Sequence, residues 1–277
     1  AAEEVSRAEP ARGFIKVAGI CGPTEQALKE AEIAVSLGYD MGLLSMGGLA
    51  DYSEAELLER TKAVAALIPV FGFYLQPSVG GRILSYDFWQ QFAAISNVEA
   101  IKVAAFNRYQ TLDVMRAVAC SPRAGDIDMY TGNDDNIIAD LLTTYRFQHQ
   151  GGTVEKSFVG GLLGQWAVWT SKAVELLNRV KAIKANGHEH LLSLLSEGVS
   201  LTDVNAAIFD PANKFHGCIP GIHEVLRRQG LLEGRWCLNP KEELSPGQSE
   251  EISRVYAGYP QMNDDAFVKD FLLKQGA

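Results

Sequence analysis

Two residues near the middle of the chain are placed where chemistry could be done. Lys102 interrupts the apolar run Ala100-Ile101-Lys102-Val103-Ala104, and Tyr74 ends another, Val70-Phe71-Gly72-Phe73-Tyr74. An ammonium inside such a run must be buried or aimed into a cavity, and burying it unpaired costs several kcal/mol. A lysine in that setting tends to shed its proton and become a nucleophile toward carbonyl carbon. The alternative is that Lys102 reaches along the strand end and keeps its charge in water.

Both runs read as short strands, 70–74 and 99–104, joined by a turn with Pro77, Gly80 and Gly81 and a helix over 85–95. Side chains alternate along a strand, so Gly72 and Tyr74 share one face, as do Ala100, Lys102 and Ala104. The expectation is that these small residues, with the phenol and the amine, face inward while Phe71, Phe73, Ile101 and Val103 meet covering helices. Tyr74 and Lys102 would then meet near the carboxyl ends of neighbouring strands, where α/β barrels keep their active sites.

The stretch Tyr74-Leu75-Gln76-Pro77-Ser78-Val79-Gly80-Gly81, followed by Ile101-Lys102, resembles the dihydrodipicolinate synthase/N-acetylneuraminate lyase superfamily of pyruvate-dependent aldolases. In weaker form the resemblance runs from Phe14 to Asp264. It implies an α/β fold, a TIM (β/α)₈ barrel with a C-terminal helical extension. It also implies a lyase, aldolase or dehydratase that needs no cofactor and acts on pyruvate or a related 2-keto acid, with Lys102 forming the Schiff base and Tyr74 moving protons. Against the family the first visible strand corresponds to the third, so barrel strands one and two are expected to be absent from this chain. Residues 1–12 can supply only the tail of a helix, 1–185 the barrel units from the third strand to the eighth helix, and 186–277 the extension. Two departures argue against dihydrodipicolinate synthase proper. Gly47-Gly48 stands where that enzyme has its tyrosine relay, and Val79 where it has an arginine. Gly47 and Gly48 would open space for a larger or less polar partner, an aldehyde or sugar acid. Assembly as a homodimer or homotetramer is the family expectation.

Composition narrows the class. The chain has 277 residues, 47% hydrophobic and 21% charged, enough for one barrel-sized core. A net charge of −9 leaves no basic surface for nucleic acid. Cys21, Cys120, Cys218 and Cys237 form no CxxC pair, so reduced buried thiols are expected rather than disulfides or zinc. No apolar run is long enough to span a membrane and no signal-peptide pattern opens the sequence, so a cytoplasmic protein is expected.

Six strand patterns alternate with helical ones: 14–18, 41–45, 70–74, 99–104, 126–131 and 157–162, the form of repeated βα units. Helices are expected over 25–37, 54–67, 86–95, 111–119, 136–145 and 167–185, then over 190–196, 201–209, 221–229, 250–256 and 265–274. Ser53 with Glu56 forms a capping box, and Thr24 stands before another helix start. Gly160 and Gly161 end the last strand, where exposed amides could hold a carboxylate or where glycine could serve close packing. Gly132 and Asn133, with Asp134 and Asp135, follow the strand before it. These carboxylates could bind a hard cation, but capping a helix needs no metal, and no metal site is expected. Asn107, Arg108 and Tyr109 after the lysine strand, and Arg82, are further candidates for an anionic substrate. The five histidines form no triad, and His188 and His190 are expected in a solvated loop. Tyr86, Phe88, Trp89 and Phe92 repeat at helical spacing and are expected in the core, whereas Trp166 would open a helix.

Overall fold

The computed structural model describes residues 1–8, 13–187 and 189–275; His188 and the end of the 1–12 segment lie outside them. The fold is mixed α/β, a largely parallel sheet accompanied by many helices, as the βα rhythm predicts. After helix α1 (Ala2–Ala8), βα units follow in order: β1 (Val17–Ile20), α2 (Thr24–Ser36), β2 (Met41–Leu44), α3 (Glu54–Ala65), β3 (Val70–Leu75), α4 (Tyr86–Ala93), β4 (Val98–Ala104), α5 (Arg108–Ala119) and β5 (Asp128–Thr131). Next come α6 (Ile137–Leu142), β6 (Thr144–His149), β7 (Gly152–Gly161) and α7 (Thr170–Asn186). Among the described residues helices alone continue: α8 (Leu191–Phe209), α9 (Cys218–Arg228), α10 (Gln248–Gly258) and α11 (Asp265–Gln275). None is long and apolar enough to cross a membrane.

The sheet order is β1-β2-β3-β4-β5-β7-β6, with β1 to β5 paired in parallel and β6 antiparallel to β7. Strand β6 departs from the expected helix over 136–145. That helix stops at Leu142, and the alternating Thr144-Tyr145-Arg146-Phe147-Gln148-His149 turns back through Gln150-Gly151 into a hairpin. Gln150 and Gly151 both take the positive φ that such a tight reversal demands. The chain divides into two compact units, one of residues 1–131 and 144–159 and the other of 132–143 and 160–277.

Local signals explain most boundaries. Ser53 accepts the Glu56 N–H at 3.2 Å while the Glu56 carboxylate takes the Ser53 N–H at 2.8 Å, the expected capping box. Thr24 is instead the first residue of α2, which has Pro23 at its N-cap and no side-chain cap. Two helices expected over 190–196 and 201–209 are one continuous helix, α8, because Gly198 serves packing rather than termination: a Cβ there would lie 3.3 Å from Ile138 of α6. The thiols are less enclosed than expected, with Cys21 exposed and the other three half-buried.

In the first unit, α4 lays Phe88, Trp89 and Phe92, all fully buried, against β3. Its start is fixed twice. Ser85 caps the Phe88 N–H at 3.0 Å, and the Glu54 carboxylate of α3 accepts from both the N–H and the hydroxyl of Ser85. Strand β4 opens with a bulge. Val70 pairs with Val98, but Phe71 pairs with Ala100, leaving the exposed Glu99 as an extra residue. The Arg123 guanidinium brackets this bulge by donating to the carbonyls of Ile95 and Val98.

Candidate active site

The bulge decides what surrounds Lys102. Beyond it Gly72 pairs with Ile101, Phe73 with Lys102 and Tyr74 with Val103. In-register neighbours of a parallel sheet point to the same face, so Lys102 belongs with Phe71 and Phe73, and Tyr74 with Gly72, Ile101 and Val103. The two faces carry different packing. On one, a Cβ at Gly72 would lie 2.6 Å from the Phe92 ring of α4, and the Tyr74 ring stands 5.1 Å from Trp89. On the other, the Lys102 Nζ sits 4.4 Å from the centre of the Phe73 ring, while Met41, Phe71 and Ala100 form an apolar cluster with Val17, Leu43 and Tyr130.

The expectation that Tyr74 and Lys102 share an inward face is therefore corrected. Gly72 is small because Phe92 fills the space beside it, so the face of small residues on β3 is the one covered by a helix. Tyr74 is 1% exposed, and its hydroxyl accepts the Leu84 N–H at 3.4 Å. Burial pushes its pKa up, partly offset by that N–H. The phenol on the Lys102 face is Tyr130 of β5, its direct register partner, also with its pKa raised by burial. Its ring leans on Phe71 at 5.0 Å between centres. The alternation in Asp128-Met129-Tyr130-Thr131 was visible in the sequence, but the register that sets Tyr130 beside Lys102 was not.

The surrounding loops hold several expected residues in structural roles. Gly47 donates its N–H to the Ser45 hydroxyl at 3.1 Å, and a Cβ on it would sit 3.2 Å from the Gly80 carbonyl. Its small size lets the loop after β2 approach the turn after β3. Gly48 is exposed with φ 74° and open space around it. Gly81 ends the tyrosine motif for a packing reason, since any Cβ would collide with the Leu75 carbonyl. Arg82 donates to the carbonyls of Leu49 and Tyr52, clamping the loop after β2. Asn107 caps α5, its side chain accepting the N–H groups of Tyr109 and Gln110. Just before it, Phe106 holds φ 50°, a strained value for a bulky residue directly after the lysine strand.

In the second unit, Gly132, Asn133 and Asp134 are buried. Asp134 accepts the Gln165 N–H at 2.9 Å, and Asp140 accepts from the side chains of both Asn133 and Asn136. The acidic stretch therefore anchors a neighbouring loop and does not cap α6, whose N-cap is Asn136 without a side-chain bond. Among the described residues no cluster of three or more histidine, cysteine or acidic side chains could hold a metal ion. Gly160 is buried, and a Cβ on Gly161 would meet Leu163 at 2.6 Å and Trp166 at 2.9 Å. At Gly161 close packing accounts for the glycine. Trp166 lies in a short 3₁₀ turn, Gln165–Ala167, ahead of α7.

No sequence-family model and no curated protein sequence matches this chain. Solved structures do. Dihydrodipicolinate synthase from Oceanobacillus iheyensis is similar over 94% of this chain and 77% of its own, with 20% identity and a TM-score of 0.67. The same enzyme from Bacillus clausii is similar over 94% and 78%, with 16% identity and a TM-score of 0.67. N-acetylneuraminate lyase from Fusobacterium nucleatum, complexed with pyruvate, is similar over 93% and 76%, with 15% identity and a TM-score of 0.64. The chain thus shares the fold of dihydrodipicolinate synthases and N-acetylneuraminate lyase.

Proposed function

We propose that this chain is a divergent member of the dihydrodipicolinate synthase/N-acetylneuraminate lyase superfamily, a Schiff-base-forming lyase, aldolase or dehydratase. The observation that carries this reading is Lys102, half-buried in mid-strand on β4 with its Nζ against the Phe73 ring, in the fold of enzymes one of which was solved with pyruvate. The Lys102 amine attacks the ketone of pyruvate or a related 2-keto acid, and loss of water leaves an iminium. That cation draws electrons from the adjacent carbon, so a C–C bond forms or breaks through the enamine. Gly47-Gly48 and Val79, in place of a tyrosine relay and an arginine, favour an aldehyde or sugar acid as the other substrate over the lysine-pathway semialdehyde. No metal or organic cofactor takes part, and the working form is a homodimer or homotetramer.

Lys102 is the proposed nucleophile. Tyr74, turned toward Trp89 and bound to the Leu84 amide, is assigned to positioning the turn that follows β3, and proton transfer falls to the Lys102 face, where Tyr130 is the phenol at hand. The displacement of Tyr74 also favours a second reading, a protein that captures a keto acid without turnover. Borohydride reduction with pyruvate, followed by intact-mass analysis and peptide mapping, tests both. A pyruvyl adduct on Lys102 that disappears in Lys102→Ala supports the Schiff base, and cleavage or condensation of an added substrate separates turnover from capture. Absence of any adduct with pyruvate and longer 2-keto acids, in folded protein, overturns the proposal.

A further inference from the structure

The second unit contains a cavity of about 320 Å³ between α7 and α8. One face of α7 supplies Lys172, Ala173, Leu176 and Arg179, and α8 supplies Glu197, Ser200 and Leu201. Gln165 and Met262 also line it. Gln165 is only 4% exposed, yet the structure gives its side chain no hydrogen bond; its backbone N–H alone is engaged, by Asp134. Its carboxamide is not sealed from water, so a ligand in the cavity would take the place of water on it.

The rest of the lining specifies the ligand. Lys172 pairs with Glu175 at 2.9 Å, and Arg179 pairs with Glu197 through two bonds of 2.9 and 2.7 Å. Two cations and two anions face the same space, so an anion would meet the carboxylates and a cation the guanidinium and ammonium. A zwitterion satisfies both: its carboxylate turns to Lys172, whose three ammonium hydrogens are not all taken by its two bonds to Glu175, and its own ammonium turns to the glutamates. Ala173, Leu176, Leu201 and Met262, all under 9% exposed, provide an apolar floor. The volume fits one small molecule. We propose that this cavity binds a free α-amino acid with an apolar side chain, its polar end held by Gln165 and the ion pairs and its side chain on the floor. The proposal does not depend on chemistry at Lys102.

Isothermal titration calorimetry of the full chain with leucine and methionine tests it. 4-Methylpentanoate, which lacks the ammonium and offers Lys102 no ketone, and isopentylamine, which lacks the carboxylate, serve as probes of the zwitterion. One-to-one binding of an apolar amino acid is expected, with neither probe competing. Gln165→Ala should weaken binding by about tenfold, the scale of one lost hydrogen-bonding group. Ser200→Phe, which sets a bulky ring on the lining of the cavity, should abolish it while thermal melting stays cooperative. No binding of any of the twenty amino acids at about 10 mM by folded protein overturns the proposal. So does binding that survives Ser200→Phe, or binding of 4-methylpentanoate or the amine as tight as that of leucine.

Discussion

Glu224 of α9 offers a sharp test of the electrostatics. Its side chain is 2% exposed and meets three arginines: Arg227 at 2.9 Å, Arg228 at 2.8 Å and Arg235 at 3.1 Å. Hydrogen bonds from Arg227 above all, opposed by burial and then helped by Arg228 and Arg235, hold its carboxyl down at about 2. Measured against an ordinary value of 4.5, that corresponds to roughly 3 kcal/mol of stability. Two of the arginines are a third or more exposed, so solvent screening brings the expectation to about 2 kcal/mol. The sign is fixed because the folded protein binds this proton less tightly than the unfolded chain. The stabilisation is complete above about pH 4.5 and is lost as pH falls toward 2. Glu224→Gln removes the charge and keeps the shape, so the variant should be about 2 kcal/mol less stable at pH 7. The gap should shrink at pH 4 and again at pH 3, as the wild-type carboxylate takes up its proton. Urea titrations of both proteins at pH 7, 5, 4 and 3 measure it. A gap that stays constant across that range, or one that widens in acid, would refute the reasoning.

Other outcomes follow from the site and its supports. Gly72→Ala drives a methyl against the buried Phe92 ring and should cost about 1 to 3 kcal/mol in urea unfolding. In a lyase assay with the substrate identified by trapping, Tyr130→Phe should lower kcat more than Tyr74→Phe. Tyr74→Phe should chiefly lower the melting temperature, and the reverse ranking would return the proton-transfer role to Tyr74. Ser53→Ala, which breaks the capping box on α3, should cost about 1 kcal/mol, measured by chemical denaturation.

How far the sequence could be read depended on whether a signal was local. Five parallel strands, the capping box and the buried stripe of α4 follow from periodicity and short-range hydrogen bonding, and the structure places them within a few residues of expectation. The hairpin strand β6 was hidden because Thr144-Tyr145-Arg146 follows a helix without a strong break. Gly198, between the two helices expected over 190–196 and 201–209, is a contact surface for Ile138 inside one continuous helix. At the candidate site, the position of Lys102 inside a strand was legible. The company it keeps was not, since Tyr74, Phe73 and Tyr130 are sorted by a pairing register to which no single residue commits. Asp134 likewise bonds to Gln165, a partner 31 positions away that short-range capping rules do not anticipate.

The bulge at Glu99 makes the face on which Tyr74 lies a question of parity. Counting on from the Val70–Val98 pair, a ladder that took Glu99 in opposite Phe71 would set Tyr74 directly opposite Lys102. Twenty-eight positions separate the two residues with or without the bulge, so a motif search scores both arrangements alike. Looping Glu99 out of the ladder, with Arg123 gripping the turn behind it, inverts the odd-even assignment of everything downstream on β4 relative to β3, whereas deleting it would close the bulge and leave those pairs as they are. One residue, exposed and remote from the reacting atoms, thus acts as the bit that selects which aromatic side chain the lysine faces.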